Sequence, residues 1–226
     1  MAKTAIITGG SRGIGKAVAY ALAEDGFIPV INYVKNREMA EKTASETGGI
    51  AFMADVSDSG QVMQMIKEIH DRTGQIDVLV NNAGISVSGL FTDITPQQAQ
   101  RLWDINVQGV FNCTKAVLPH MIHRKYGRII NISSMWGQVG ASCEVHYSAS
   151  KAAVIGFTKA LAKEVGLSGI NVNCIAPGVI DTDMNACYSE DVMQELRDET
   201  PLGRTGKPED IAETVAFLAG DGARYI

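Results

Sequence analysis

The sequence predicts one α/β domain over residues 1–226, a doubly wound parallel sheet with helices on both faces. Three observations carry that expectation. Short apolar segments alternate with helix-patterned ones from end to end, a glycine-rich turn joins the first strand to the first helix, and no repeat, low-complexity tract or linker interrupts the order. Segments 4–8, 28–32, 50–55, 78–81, 128–133 and 171–176 are β-rich and almost continuously hydrophobic, as strands covered on both faces are. Between and after them, helical patterns run over 13–25, 36–47, 57–73, 96–125, 147–166 and 208–219. The last of these opens on Pro208, where a missing N–H costs nothing. Such alternation implies right-handed βαβ crossovers, a Rossmann-type sheet, and ligands held outside the carboxyl ends of its strands.

Composition narrows the possibilities. A chain of 226 residues with 46% hydrophobic and 20% charged residues suits one core without staples. A formal charge of −5 argues against a nucleic-acid partner, whose phosphates call for a basic surface. Cys113, Cys143, Cys174 and Cys187 form no C-x-x-C pair and no metal-ligand spacing with the four histidines, so reduced thiols in a cytoplasmic protein and no metal are expected. No apolar run approaches the ~18 residues of a membrane span, and no signal peptide precedes the first strand.

Two clusters at the predicted strand ends carry chemistry. The first is Thr8-Gly9-Gly10-Ser11-Arg12-Gly13-Ile14-Gly15. Gly9 allows the sharp exit from the strand, Gly13 admits a pyrophosphate close to the backbone, and Gly15 lets the helix sit close to the sheet. The helix N-terminus then presents free N–H groups and partial positive charge to phosphates. After the second strand, Tyr33-Val34-Lys35-Asn36-Arg37 contains no carboxylate to accept from a ribose 2′-hydroxyl. Arg12, Lys35 and Arg37 can instead surround a 2′-phosphate, so NADPH (NADP+) is the expected cofactor. The plain alternative is that Lys35 and Arg37 are solvated residues at a helix start.

The second cluster is Tyr147-Ser148-Ala149-Ser150-Lys151, in which Tyr147 and Lys151 lie four apart on one helix face. An ammonium ~4 Å from a phenol is worth ~4 kcal/mol at an effective dielectric of 20. That is roughly three pKa units, enough to turn tyrosine into a usable acid. Ser133 and Ser134 end the fifth strand, where a hydroxyl can donate to a carbonyl oxygen as charge develops on it. Asn81-Asn82-Ala83-Gly84 ends the fourth strand and suits close approach to a cofactor, Asn106 lies inside the long fourth helical pattern, and Pro177-Gly178-Val179-Ile180-Asp181-Thr182 follows the sixth strand.

Taken in order, T-G-x-x-x-G-x-G, N-N-A-G, the internal asparagine, a serine thirteen positions before Y-x-x-x-K, and P-G-x-x-x-T resemble the short-chain dehydrogenase/reductase family over the whole chain. The resemblance implies a catalytic tetrad of Asn106, Ser134, Tyr147 and Lys151, with Tyr147 protonating a ketone oxygen while hydride arrives from the nicotinamide. It implies that Ser134 polarises the carbonyl, that Lys151 holds the nicotinamide ribose and lowers the tyrosine pKa, and that Asn106 supports a proton relay. It also implies cofactor contacts from Gly9, Ser11, Arg12, Gly13, Ile14, Gly15, Tyr33 and Lys35. Asp55 and Val56 follow at the adenine, Asn82, Ala83 and Gly84 at the strand edge, and Pro177, Gly178, Ile180 and Thr182 at the nicotinamide.

Within the family the chain is most similar to bacterial 3-oxoacyl-acyl-carrier-protein reductases, through Pro201-Leu202-Gly203-Arg204 and Pro208-Glu209-Asp210-Ile211-Ala212. That similarity implies a 3-oxoacyl thioester substrate and an acyl carrier protein as partner. The two basic docking positions of those reductases fall on Lys125 and Ser168, of which only Lys125 is cationic. The stretch from Trp136 to Tyr147 is similar instead to relatives that reduce 5-aminopentanone on elongation factor P. It makes Trp136, Cys143, Glu144 and His146 candidates for specificity, against the alternative that they pack or face water. A non-catalytic NADP-binding sensor is a third reading, opposed by the presence of both Tyr147 and Lys151. Relatives continue past Ala223-Arg224-Tyr225-Ile226, so a missing last strand and an exposed sheet edge are expected. Segments 96–125 and 147–166 resemble the family's main dimer interface, which implies a homodimer or homotetramer.

Overall fold

The computed structural model describes residues 2–185 and 188–226; Cys187 lies outside them. Six strands, β1 (Lys3–Ile7), β2 (Phe27–Tyr33), β3 (Ile50–Met53), β4 (Val78–Asn81), β5 (Gly127–Ile132) and β6 (Ile170–Ile175), form one sheet in the order β3-β2-β1-β4-β5-β6. Every adjacent pair is parallel. Period-two alternation sorts the strand side chains between two cores. Ala5, Ile7, Val78, Val80, Ile130 and Ile132 meet α1 (Gly13–Glu24), α2 (Arg37–Thr47) and α9 (Pro208–Ala219) on one face. Ile6, Leu79 and Ile129 meet α3 (Ser59–Thr73), α5 (Gly109–Arg124) and α7 (Val145–Val165) on the other. Because both faces are covered, the strands can be apolar at every position, which is why they read as continuous hydrophobic runs.

One predicted helix breaks. The pattern over 96–125 divides into α4 (Pro96–Trp103), a π-helical turn over Asp104–Gln108, and α5. Asn106 sits in the π turn, and its amide bonds the Ile85 backbone rather than leaving the helix ladder undisturbed. π-turns of this kind gather at functional sites. Two helices were absent from the sequence pattern: α6 (Trp136–Val139), a single turn, and α8 (Glu190–Glu199). None of the residues of α8 is fully buried, and its apolar stripe is limited to Val192, Met193 and Leu196; its other signals are the Ser189 cap and the acidic first turn.

At the amino ends of the strands, Asp77 is 1% exposed and accepts from the Thr4 backbone N–H at 2.7 Å and from Arg124 at 2.8 Å. Asp77→Ala leaves a guanidinium and a strand N–H without their acceptor. The expected cost is about 3 kcal/mol, seen as a Tm fall of about 6–12 °C in a thermal melt. An unchanged melting temperature would show that water replaces the carboxylate at no cost. At the β6 edge the residues after α9 turn back, and the Asn171 and Asn173 amides donate to the Ile226 oxygen at 2.8 and 3.1 Å. Cys113, Cys143 and Cys174 are free thiols. No helix among the described residues is long and apolar enough to cross a membrane.

Candidate active site

At the opposite edge, the segments leaving β1, β4, β5 and β6 converge, and the strand order reverses between β1 and β4, the position at which doubly wound sheets bind ligands. Thr8 ties the first two together. Its hydroxyl accepts from the N–H groups of Asn82 and Ala83 at 2.9 and 3.0 Å and donates to Val80 at 3.3 Å. The Asn82 amide returns to the carbonyls of Thr8 and Gly9 at 2.9 and 3.2 Å. Gly9 and Gly13 have φ of +64° and +51°, which side chains rarely adopt. A Cβ on Gly15 would lie 2.4 Å from the Gly9 oxygen, so helix α1 touches the turn backbone to backbone.

This cradle fits a dinucleotide pyrophosphate. Helix α1 starts at Gly13 with no side-chain cap and no acidic residue in its first turn, so its leading N–H groups remain available to an anion. Ser11 is buried within the turn, and Ile14 packs toward the core beneath it. At the end of β2, Tyr33 is buried and Lys35 is exposed. Arg37 pairs with Glu41 at 2.7 Å and Arg12 with Asp183 at 3.2 Å, so Lys35 is the cation of the three that makes no ion pair among the described residues. Asp55 follows β3 rather than ending it. Burial opposes its charge, but hydrogen bonds from Ser57 and Arg101 outweigh that and hold its carboxyl below the usual range. Val56 is buried against Gly109, where an added Cβ would approach it to 2.7 Å.

The structure brings Asn106, Ser134, Tyr147 and Lys151 together. Tyr147 and Lys151 are buried on one face of α7, with the Lys151 ammonium 5.7 Å from the tyrosine ring centre and donating to the Ile132 carbonyl at 2.8 Å. Asn106 accepts from the Ile85 N–H at 2.9 Å and donates to the Ile85 carbonyl at 2.9 Å and to Ser150 at 3.1 Å. Gly84 forms the floor between them. A Cβ there would come within 3.3 Å of the Asn106 amide oxygen and 3.4 Å of the Lys151 nitrogen. The two serines divide their work: Ser133 donates to the Lys151 carbonyl at 2.8 Å, whereas the Ser134 hydroxyl accepts the Trp136 N–H at 3.2 Å and lies beside the Tyr147 phenol, whose pKa it lowers. Pro177 receives the Met135 N–H at 2.8 Å, Ile180 is buried, and the Thr182 methyl lies 3.4 Å from a Cβ built on Gly13. Gly178 lines a cleft of ≈ 570 Å³ with Trp136, Ile180, Leu196, Leu202 and Arg204.

One electrostatic expectation is reversed. Burial pushes the Tyr147 phenol up to about 12, the Ser134 hydrogen bond opposes this, and the charge of Glu144 adds to it. Burial likewise brings Lys151 down to about 8. Desolvation outweighs the neighbouring charge for groups sealed on the same helix face. Glu144 is a second finding. It is buried rather than facing water, accepting from the Ser86 hydroxyl at 2.5 Å, while His146 stacks on Phe91 at 5.1 Å.

Fold and site together define an oxidoreductase that interconverts a carbonyl and an alcohol, and the chain belongs to the short chain dehydrogenase family, whose model matches residues 3–193. Members of that family work with nicotinamide cofactors. Among its relatives, the 3-oxoacyl-[acyl-carrier-protein] reductase FabG of Staphylococcus aureus is 43% identical, covering 100% of this chain and 94% of its own. The 3-oxoacyl-[acyl-carrier-protein] reductase of Synechocystis sp. is 46% identical, with 100% and 92% covered. The acetoacetyl-CoA reductase of Paracoccus denitrificans is 44% identical, with 100% and 94% covered.

Proposed function

We propose that the protein is an NADPH-dependent reductase of 3-oxoacyl thioesters, carried by acyl carrier protein or coenzyme A. The observation that carries this reading is the meeting of Asn106, Ser134, Tyr147 and Lys151 beside a phosphate-accepting turn, in a chain whose relatives are named for reduction of 3-oxoacyl thioesters. A nicotinamide bound here would supply hydride to the ketone carbon. Tyr147 gives its proton to the ketone oxygen, and Ser134 donates a hydrogen bond to that oxygen as negative charge gathers there. Lys151, with a pKa of about 8, is predominantly cationic at neutral pH and holds positive charge beside the developing alkoxide. Asn106 fixes the Gly84-Ile85 backbone that floors the site, and the cleft beside Trp136 and Leu196 is wide enough for an acyl chain.

Gly9, Ser11, Arg12, Gly13, Ile14 and Gly15 hold the pyrophosphate in this reading. Asp55 and Val56 border the adenine, Asn82, Ala83 and Gly84 flank the ribose, and Pro177, Gly178, Ile180 and Thr182 enclose the nicotinamide. Exposed Lys35, without an ion pair among the described residues, supports a 2′-phosphate partner beside Tyr33. Phe111 on α5, in tilted ring contact with Phe157 of α7 at 4.7 Å and itself partly exposed, supports pairing of two chains through these helices.

The test is oxidation of NADPH with acetoacetyl-CoA, at matched concentrations of NADPH and NADH. Turnover with NADPH preferred is expected. Lys35→Asp should lower kcat/KM for NADPH by roughly tenfold or more, because a charge-assisted bond is worth about 1.5–3 kcal/mol. Absence of turnover with either nucleotide sinks the thioester reading, and an unchanged preference in the variant sinks the assignment of Lys35.

A further inference from the structure

We infer that Arg101 is a positioning residue for the adenine end of the cofactor: its guanidinium aims the Asp55 carboxylate at the adenine amino group and so sets discrimination for that base. The inference rests on the reading above in which Asp55 and Val56 border the adenine. Arg101 lies on α4, 46 positions along the chain from Asp55. One arm of its fork donates to Asp55 Oδ2 at 2.7 Å and the other to the Ser57 hydroxyl at 2.7 Å. A planar fork that holds two residues at once fixes a direction as well as a distance.

The donors around Asp55 leave one place open. Its Oδ1 takes the Ser57 N–H at 3.0 Å and the Ser57 hydroxyl at 2.6 Å, and its Oδ2 takes Arg101. An ionised carboxylate offers about four acceptor sites, so among the described residues one site on Oδ2 is left for a further donor. Burial disfavours the charge, but the hydrogen bonds from Ser57 and Arg101 prevail, and the group is ionised at neutral pH. The adjacent Val56 N–H meets no acceptor among the described residues. The edge therefore offers one acceptor and one donor, the complement of the adenine amino group and the ring nitrogen beside it.

The backbone of this edge is held without Arg101. Gln61 accepts the Asp55 N–H at 3.0 Å, and Asn112 of α5 donates to the Val56 carbonyl at 2.9 Å. What remains free is rotation of the carboxylate, and Arg101 and Ser57 remove it. As a structural tie the ion pair counts for little. The Arg101 side chain is 48% exposed and that of Asp55 22%, and pairs open to solvent contribute little to stability. Helix α4 also has its own capping box at Thr95 and buries Leu102, so its formation does not depend on Arg101.

The base is isolated by comparing NADPH with its hypoxanthine analogue, in which a carbonyl oxygen replaces the amino group and would meet the carboxylate as a second acceptor. Kd for both is read by fluorescence titration of the reduced nucleotides, without substrate, in the parent, Arg101→Ala and Asp55→Ala. The parent should bind NADPH roughly tenfold more tightly than the analogue, as the loss of a charge-assisted bond implies. In Arg101→Ala that ratio should fall to roughly threefold or less, toward the ratio of Asp55→Ala. The melting temperature of Arg101→Ala should stay within about 2 °C of the parent. A parental ratio in Arg101→Ala, even with both affinities lowered together, overturns the inference: the arginine then only attracts the anionic dinucleotide or ties the surface. A parent that does not distinguish the two nucleotides, or an Asp55→Ala that keeps the parental ratio, takes Asp55 away from the adenine and the inference with it. Failure of the parent to reduce acetoacetyl-CoA would refute the proposed function without altering these binding ratios.

Discussion

Tyr147→Phe should lose reductase activity by roughly a thousandfold and keep its fold. Positioned proton transfer contributes about 10²–10⁴ to rate, and the phenol is the group within the cluster that can give a proton to a ketone oxygen. Lys151 is tied to the Ile132 carbonyl, Ser133 to the Lys151 carbonyl, and the Asn106 amide to Ile85 and Ser150. The Tyr147 side chain is 9% exposed, so its ring is packing material that phenylalanine supplies equally well. Removing the hydroxyl frees Ser134 from one hydrogen bond and opens no large cavity. The loss should therefore fall on kcat, with the thermal melt and dinucleotide binding close to the parent. With the phenol pushed up to about 12, the parent's tyrosine stays protonated through neutral pH, and its reductase rate should not decline there through loss of that proton. A variant that retained a tenth or more of the parental rate would remove Tyr147 as the donor and return the role to Ser134 or to water.

What could be read in advance divides along physical lines. The strands were legible because a parallel sheet buried on both faces leaves nothing polar to interrupt the run: Ala5, Ile6 and Ile7 go to alternate cores, and all three are apolar. The glycine-rich turn and the Tyr147/Lys151 pair were legible because backbone approach and helix periodicity act over a few residues. The helix over 96–125 was not: it breaks where Asn106 bonds the Ile85 backbone across the site, a long-range contact that no local pattern records. Helix α8 escaped because its short apolar stripe of Val192, Met193 and Leu196 lies in a segment dominated by acidic and polar side chains. The direction of the Tyr147 shift escaped for a related reason: a count of charges along α7 says nothing of how much solvent the fold removes. Glu144 combines both difficulties. Its neighbours in sequence suggest a polar loop, while its partners Ser86 and Tyr188 arrive from segments more than forty residues away on either side. The thirteen-residue spacing to Tyr147 selects Ser134 over Ser133, and the physical difference appears only in the fold, where the Ser133 hydroxyl is spent on the Lys151 carbonyl.

Gly15→Ala should damage both the fold and the binding of the dinucleotide. A methyl group there would stand 2.4 Å from the Gly9 oxygen, 2.6 Å from the Asn82 amide nitrogen and 3.0 Å from the Gly10 Cα. Two of those atoms are backbone, and the third cannot swing away cheaply because Asn82 is bonded to the carbonyls of Thr8 and Gly9. Relief requires moving α1 off the turn. Helix α1 packs on α9 through the same core that holds Val18, Leu22, Ile211 and Val215, so the displacement spreads into that layer. Overpacking of this kind costs about 1–3 kcal/mol, more where backbone must shift, which for a chain of this size is a Tm loss of about 5–10 °C. The functional effect should exceed the stability effect. The N–H groups that open α1 lose their aim at the pyrophosphate, and affinity for the dinucleotide should fall by roughly tenfold or more, read by fluorescence titration of NADPH. Gly48→Ala is the control: its φ of +63° makes the substitution strained, but nothing lies within 4 Å of its Cβ and it is remote from the turn, so it should lose stability without losing nucleotide affinity. Equal nucleotide affinity in Gly15→Ala and the parent would mean that the turn is a structural bend and that the phosphates are held elsewhere.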